Sequence, residues 1–203
     1  MKKVTLKELK DMAINSRSDV WQKAQSLDRE PKIYLHWTAG KYDSLFSDYH
    51  INITGNGDIY VSTDDLSEVK NHTWKRNTGA IGIGLCCAYG GGSTNLGDYP
   101  PTVKQIETVA QVIDVVCAGL WLTIDKAHVM THGEASNNED GLTVHNPYAW
   151  WNDSYGDGDT RGDLEYLGTK ESPKYNPYAT DGSRGGDVLR GKANWYKNNK
   201  KDV

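Results

Sequence analysis

The chain has 203 residues and a formal net charge of −4. It is long enough to close a full hydrophobic core in one domain, and it offers no basic face for a nucleic-acid partner. Apolar residues make up only 37% while glycine occurs 21 times, which speaks for a loop-rich fold rather than a helical bundle.

The amino terminus, Met1-Lys2-Lys3-Val4-Thr5-Leu6-Lys7-Glu8, starts basic but has no apolar core behind it. Neither a signal peptide nor a membrane span is expected. Residues 5–27 read as helical. Thr5 and Glu8 have capping-box spacing, and Leu6, Leu9, Met12 and Ala13 form one apolar face. After a break at Ser16-Arg17-Ser18, a second short helix carries Val20, Ala24 and Leu27. Strands are predicted at 32–37, 48–54 and 58–62, the last two joined as a hairpin around Thr54-Gly55-Asn56-Gly57-Asp58 with Asn-Gly as the turn signal.

The strand predicted at 79–88 carries Gly79, Gly82 and Gly84, so one face lacks side chains and leaves space for a helix or a ligand. These glycines lie within the strand, with no helix opening after them, so they are not a phosphate-binding fingerprint. A Gly-rich loop at 90–98 leads to Pro100-Pro101. Thr102 then begins a helix whose apolar stripe is Val103, Ile106, Val109, Ala110, Ile113, Val116 and Cys117, with Gly119 near its end. A strand follows at 127–132, and an acidic, Gly/Asn/Trp-rich segment occupies 133–163. A closing helix is expected at about 186–198. The alternation of helix, hairpin, strand, helix, strand and helix predicts an α/β sandwich around a mixed sheet.

Composition adds two constraints. Seven Trp and 12 Tyr stand against one Phe, which favours aromatics with a polar handle, suited to groove walls and sugar rings as well as to structural loops. Cys86, Cys87 and Cys117 are odd in number and two are adjacent in an apolar strand. They read as buried small hydrophobes of a chain folded in a reducing compartment, not as a disulfide framework.

The chemistry concentrates in two segments. Ile33-Tyr34-Leu35-His36-Trp37-Thr38-Ala39-Gly40 is an apolar run that delivers a histidine to a sheet rim, and Ala127-His128-Val129-Met130-Thr131-His132-Gly133-Glu134 repeats the form. One such histidine is ordinarily a hydrogen-bonded side chain. A pair followed by an acidic loop is a start for a metal site, because neutral imidazole is the commonest protein ligand for zinc. His128 shares the predicted strand face of His132, but a His-x-x-x-His metal pair needs a helix. Glu134, two residues after His132, faces the same cleft if the strand continues, as a base or as a partner for an imidazole.

The chain resembles the zinc-dependent type 2 N-acetylmuramoyl-L-alanine amidases, a superfamily that includes phage lysozyme-like amidases and peptidoglycan recognition proteins. The resemblance rests on His36-Trp37-Thr38-Ala39, on Tyr49-His50-Ile51 before Gly57-Asp58-Ile59-Tyr60, and on His72-Thr73-Trp74 with Asn77 before Ala80-Ile81-Gly82-Ile83-Gly84. Thr131-His132 and Arg161-Gly162-Asp163 complete it, in the family's order and over about residues 32–167. The segment from Gly185-Gly186-Asp187-Val188 through Tyr196 looks like the ending of a phage-type subgroup.

This resemblance implies a Zn2+ held by His36, His132 and Asp163, with His145, Asp157 and Asp159 as other acidic-loop candidates for the third position. It implies that Arg161 stabilises the oxyanion, that Tyr49 stands beside the metal water, and that His50 and His72 line the substrate groove. Trp37, Trp74, Trp150 and Trp151 are candidate groove walls. Some branches of the family place a Glu where this chain has Gly84, so the general base is left between Tyr49 and Glu134. The expected organisation is one catalytic domain, with a helical segment at 1–30, a core at 32–167 and a C-terminal extension at 168–203. The expected function is hydrolysis of the N-acetylmuramoyl–L-alanine amide of peptidoglycan, of the endolysin type. The expected protein is a monomer without nucleic-acid or membrane partners, made in the cytoplasm and acting on the cell wall. Non-catalytic peptidoglycan binding is the alternative.

Overall fold

The computed structural model describes residues 1–92, 94–137, 139–142 and 162–199. Its elements are β1 (Lys2–Val4), α1 (Leu6–Gln25), β2 (Lys32–Trp37), β3 (Ile51–Ile53), β4 (Ile59–Val61), β5 (Ala80–Leu85), α2 (Val103–Leu120), β6 (Val129–Thr131), α3 (His132–Ser136) and α4 (Gly185–Asn199). The strands form one sheet in the order β1-β4-β3-β5-β2-β6. β3, β5, β2 and β6 run parallel, and the hairpin strand β4 and edge strand β1 pair antiparallel. This is the expected mixed sheet flanked by helices. Among the described residues, no helix is long and apolar enough to cross a membrane.

Strand alternation sorts the two faces. Ile33, Leu35, Trp37, Ile51, Ile53, Ile81, Ile83 and Leu85 join α1, α2 and α4 in the main core. Tyr34, His36, Asn52, Gly82 and Gly84 fall on the other face, where the register aligns His36, Gly84 and Asn52 across three strands. Among the described residues, no long helix covers that face. Asn52 instead pins the loop after β2, accepting the Phe46 N–H at 3.0 Å and donating to the Phe46 carbonyl at 3.0 Å.

Several expectations change in detail. The amino-terminal segment is one helix that runs through Ser16-Arg17-Ser18. Ser16 is buried, and its hydroxyl oxygen accepts the Leu66 N–H at 2.9 Å, so a tertiary partner satisfies the group read as a break. The hairpin strands shorten to three residues each, with Gly57 at φ +81 in the turn. β1 was not anticipated, because three residues are too few for periodicity to register. The strand expected at 127–132 ends at Thr131, and Trp121, not Gly119, takes the left-handed position that closes α2. The cysteines are free and buried, as expected.

Gly119 has another use. A Cβ there would lie 2.5 Å from the Ala13 Cβ and 3.1 Å from the Lys10 carbonyl, so the missing side chain is what lets α1 and α2 meet. Gly119→Ala is expected to force the helices apart and lower unfolding stability by about 1–3 kcal/mol. Urea denaturation checks this through a lower midpoint at unchanged slope.

Candidate metal centre

Local features set where two of the centre's side chains, His36 and His132, leave the backbone. β2 is buried along its whole length and ends on His36 and Trp37. The parallel neighbour β5 presents Gly84 opposite His36 and Gly82 opposite Tyr34. A Cβ at Gly82 would lie 2.5 Å from the His72 ring, and one at Gly84 would lie 2.8 Å from the Tyr49 ring. The bare glycine face is therefore filled by His72 and Tyr49, not by a helix. On the far side of β2, Thr131 caps α3. Its hydroxyl accepts the Glu134 N–H at 3.2 Å, and the Glu134 carboxylate accepts the Thr131 N–H at 2.9 Å. This Thr-x-x-Glu capping box stops β6 and makes His132 the first helical residue. The spacing is legible in the sequence, but the Val-Met-Thr run before it favours a strand.

His36, His132 and Asp163 come together. Asp163 Oδ2 stands 3.4 Å from His36 Nδ1 and 3.3 Å from His132 Nδ1, and the donor atoms all lie within 4.8 Å of one another. These separations are long for charge-assisted hydrogen bonds. They match the edge of a tetrahedron with metal bonds of about 2.0–2.1 Å, which is about 3.3–3.4 Å. Asp163 Oδ1 is buried without a hydrogen-bond partner among the described residues. Burial pushes the Asp163 carboxyl up, but His132 and His36 outweigh it and hold the group below its ordinary range. Burial takes the His36 imidazole down to about 4. An ionised carboxylate beside a neutral imidazole is the state in which these groups bind a cation. The residues fit a divalent metal.

The three donors line a cleft of 240 Å³ with Trp37, Thr38, Ala39, Phe46, Asp48, Tyr49, Asn71 and His72. A larger cavity of 590 Å³ is walled by Tyr42, Tyr60 and Tyr99 and holds none of the donors. The Tyr49 ring packs against His36 with centroids 5.1 Å apart, and its hydroxyl donates to the Trp37 carbonyl at 3.4 Å. Thr73 was missed by sequence reasoning. Its hydroxyl lies 3.2 Å from His36 Nε2 and 2.8 Å from His72 Nδ1. With His36 Nδ1 turned to a metal, Nε2–H donates to the Thr73 oxygen, and the Thr73 O–H donates to His72 Nδ1. Such a partner fixes the ring of a metal-binding imidazole.

Other expected residues stand elsewhere. His50 is fully buried and does not line the cleft: Gly82 N–H donates to its Nδ1 at 3.0 Å and its Nε2 bonds the Glu68 carbonyl at 2.7 Å. Trp74 is 43% exposed and outside the cleft lining. Because β6 ends before His132, Glu134 does not share a strand face with it. Its two oxygens instead accept from Arg190 at 2.8 Å each, and it does not line the cleft. His128 pairs with Asp125 and Glu30 away from the centre. Arg161, His145, Trp150, Trp151, Asp157 and Asp159 lie outside the described residues.

A sequence model of the family Amidase_2, N-acetylmuramoyl-L-alanine amidase, matches residues 19–146. That is more than half of the chain. It takes in His36 and His132 and ends before Asp163. No curated protein matches the chain.

Burial lowers the His50 pKa to about 4, from 6.5. The unfolded chain therefore binds a proton that the folded chain refuses between these values. Stability is full above about pH 6.5 and is lost as pH falls toward 4, by up to roughly 1.4 kcal/mol per unit of depression. His72 is shifted down as well, mainly by burial, and acts with the same sign. His50→Gln is expected to make the acid limb of a stability–pH curve shallower without removing it. Unfolding midpoints measured from pH 4 to 7.5 check this.

Proposed function

We propose, on the premise that the chain belongs to the N-acetylmuramoyl-L-alanine amidase family, that it is a zinc-dependent hydrolase of the amide between N-acetylmuramic acid and L-alanine in peptidoglycan. The observation that carries the metal part of this reading is the His36–His132–Asp163 cluster on the wall of an open cleft, with the carboxylate a tetrahedral edge away from each imidazole. Three protein donors are the number a catalytic zinc takes, leaving one position for water. A zinc ion held by His36, His132 and Asp163 would supply Lewis acidity toward the amide carbonyl and a water of pKa about 7.

The chain's own residues then divide the remaining work. Thr73 holds the His36 ring in the tautomer that leaves Nδ1 free to coordinate. Phe46 forms an apolar wall of the cleft, which Trp37 borders through its backbone carbonyl while its side chain lies in the main core, and Asp48 and Asn71 offer polar contacts to a substrate. Tyr49 has its hydroxyl on the Trp37 carbonyl, a bond long enough to exchange for a substrate atom. We assign it proton transfer or donation to the carbonyl oxygen as charge develops there. Arg161 is proposed, from the family resemblance, as the cation for the same oxygen. Glu134 has both oxygens engaged by Arg190 and the cap of α3, and it receives no part in proton transfer. A module that only binds peptidoglycan has no need of a buried donor set, which favours the enzyme. The phage-type form of the C-terminal segment favours a lytic setting.

Digestion of purified cell wall is expected to release L-alanine amino termini without new reducing sugars, and to stop on chelation and resume with zinc. Full hydrolysis by metal-free protein would defeat the metal reading, whereas new reducing ends would identify a glycosidase. His36→Ala, His132→Ala and Asp163→Ala are expected to lose zinc, measured by elemental analysis after gel filtration.

Tyr49→Phe removes the hydroxyl and leaves the ring against His36. It is expected to retain zinc and lower kcat by ~100-fold or more. Steady-state rates on a muramoyl-peptide check this, and a kcat near that of the unaltered chain would remove Tyr49 from the reaction.

A further inference from the structure

Two of the three donors stand on segments with little stability of their own. His132 begins a helix of five residues, far shorter than a helix that holds itself together in water. Asp163 precedes Leu164, whose φ of +58 is a conformation that residues with side chains rarely adopt. Something outside these segments must hold them in place.

The start of α4 packs against both. Arg184, 6% exposed, reaches Glu165 with Nε at 3.0 Å and Nη2 at 2.8 Å. The same guanidinium reaches Glu139 at 3.0 and 3.1 Å. Glu165 is two residues after Asp163, and Glu139 is three residues past the end of α3. Arg190, one and a half turns further on, grips Glu134 in α3 with two bonds of 2.8 Å and also donates to the Val129 carbonyl at 3.0 Å. Forked pairs of this kind fix direction as well as distance.

Two glycines make the approach possible. Gly185 N–H donates to the Glu165 carbonyl at 2.8 Å, and a Cβ on Gly185 would lie 1.8 Å from the Leu164 carbonyl oxygen. A Cβ on Gly186 would lie 2.7 Å from the Glu134 carboxylate. The family match ends at residue 146, so it assigns no part to Arg184, Gly185, Gly186 or Arg190.

We infer that Arg184-Gly185-Gly186 and Arg190 form a positioning clamp for the metal centre, Arg184 and Gly185 holding the Asp163 segment and Arg190 and Gly186 holding the helix that carries His132. None of the four supplies a ligand atom in the cluster. His36, carried by the sheet, is independent of them. The clamp rests on the metal reading above, and the experiment separates the two.

Zinc affinity is measured by competition with a chromophoric chelator, at a temperature where near-UV circular dichroism shows each metal-free variant folded. Arg184→Gln and Gly185→Ala are expected to weaken zinc binding about 10- to 100-fold, the range for residues that orient ligands. Val20→Ala, a core truncation on α1, is expected to lower the melting temperature and leave zinc affinity unchanged. If Arg184→Gln does not fold, the double variant Arg184→Gln/Glu165→Gln removes the buried Glu165 charge as well, leaves Glu139 paired with Lys126, and carries the same expectation. Affinity within twofold of the unaltered chain in the folded variants would overturn the clamp alone. So would an equal loss in Val20→Ala, since the effect would then be one of general stability. An unaltered chain that binds no zinc would overturn the metal reading and the clamp with it.

Discussion

Much of the site depends on an absence of side chains on one strand. β5 runs through the middle of the sheet, and on the face away from α1, α2 and α4 it presents Gly82 and Gly84. Any Cβ at those positions would lie within 2.8 Å of the His72 or Tyr49 ring. The glycines thus set the depth at which both rings sit, and that depth lets Tyr49 lie against His36 and His72 reach Thr73. A strand interior is an unfavourable place for glycine, because no side chain packs there. The cost is offset on the opposite face, where Ile81, Ile83 and Leu85 are fully buried.

Crowding imidazoles onto one sheet face creates an electrostatic problem. His36, His50 and His72 are all shifted down, mainly by burial, because a charged ring cannot be kept there beside its neighbours. The fold answers each neutral ring differently. His50 has backbone groups on both nitrogens and acts as a stitch between β5 and the loop at Glu68. His36 shares Thr73 with His72 and turns its other nitrogen to the Asp163 carboxylate. His72 Nε2 and Asp163 Oδ1 are left without partners among the described residues, and both side chains border the cleft. Unpaired buried polar atoms are costly. Their concentration beside one cleft fits a region built for chemistry.

Charge also ties the less regular parts of the chain to the sheet. Arg76 and Asp140 form an ion pair whose side chains are fully buried, and the Tyr34 hydroxyl donates to the same carboxylate at 2.8 Å. This anchors the chain just after α3 to the face that carries His36. Arg184 and Arg190 anchor it from the α4 side. Removing one partner of such a pair leaves a buried charge uncompensated and typically costs about 3–5 kcal/mol.

Elements whose cause is local could be read directly from the residues. The Thr5 capping box starts α1 where its spacing predicts and Thr102 opens α2 as expected, the run 32–37 is β2 to the residue, and the pairing of His36 with His132 was legible because two apolar runs each lead into a histidine. Sequence order plus family resemblance also put Asp163 with them. Tertiary structure alone decided the rest. Ser16 does not break its helix because Leu66, fifty residues away, uses its hydroxyl. Glu134 is turned from the cleft to Arg190 because a capping box, competing with a β-prone run, ends the strand one residue before His132. The roles of Thr73, Arg184 and Arg190 could not be read from the chain, since the partners that define them lie 19 to 56 residues away. Periodicity and caps report interactions between residues a few positions apart, whereas a metal centre is held by contacts whose only common feature is position in space.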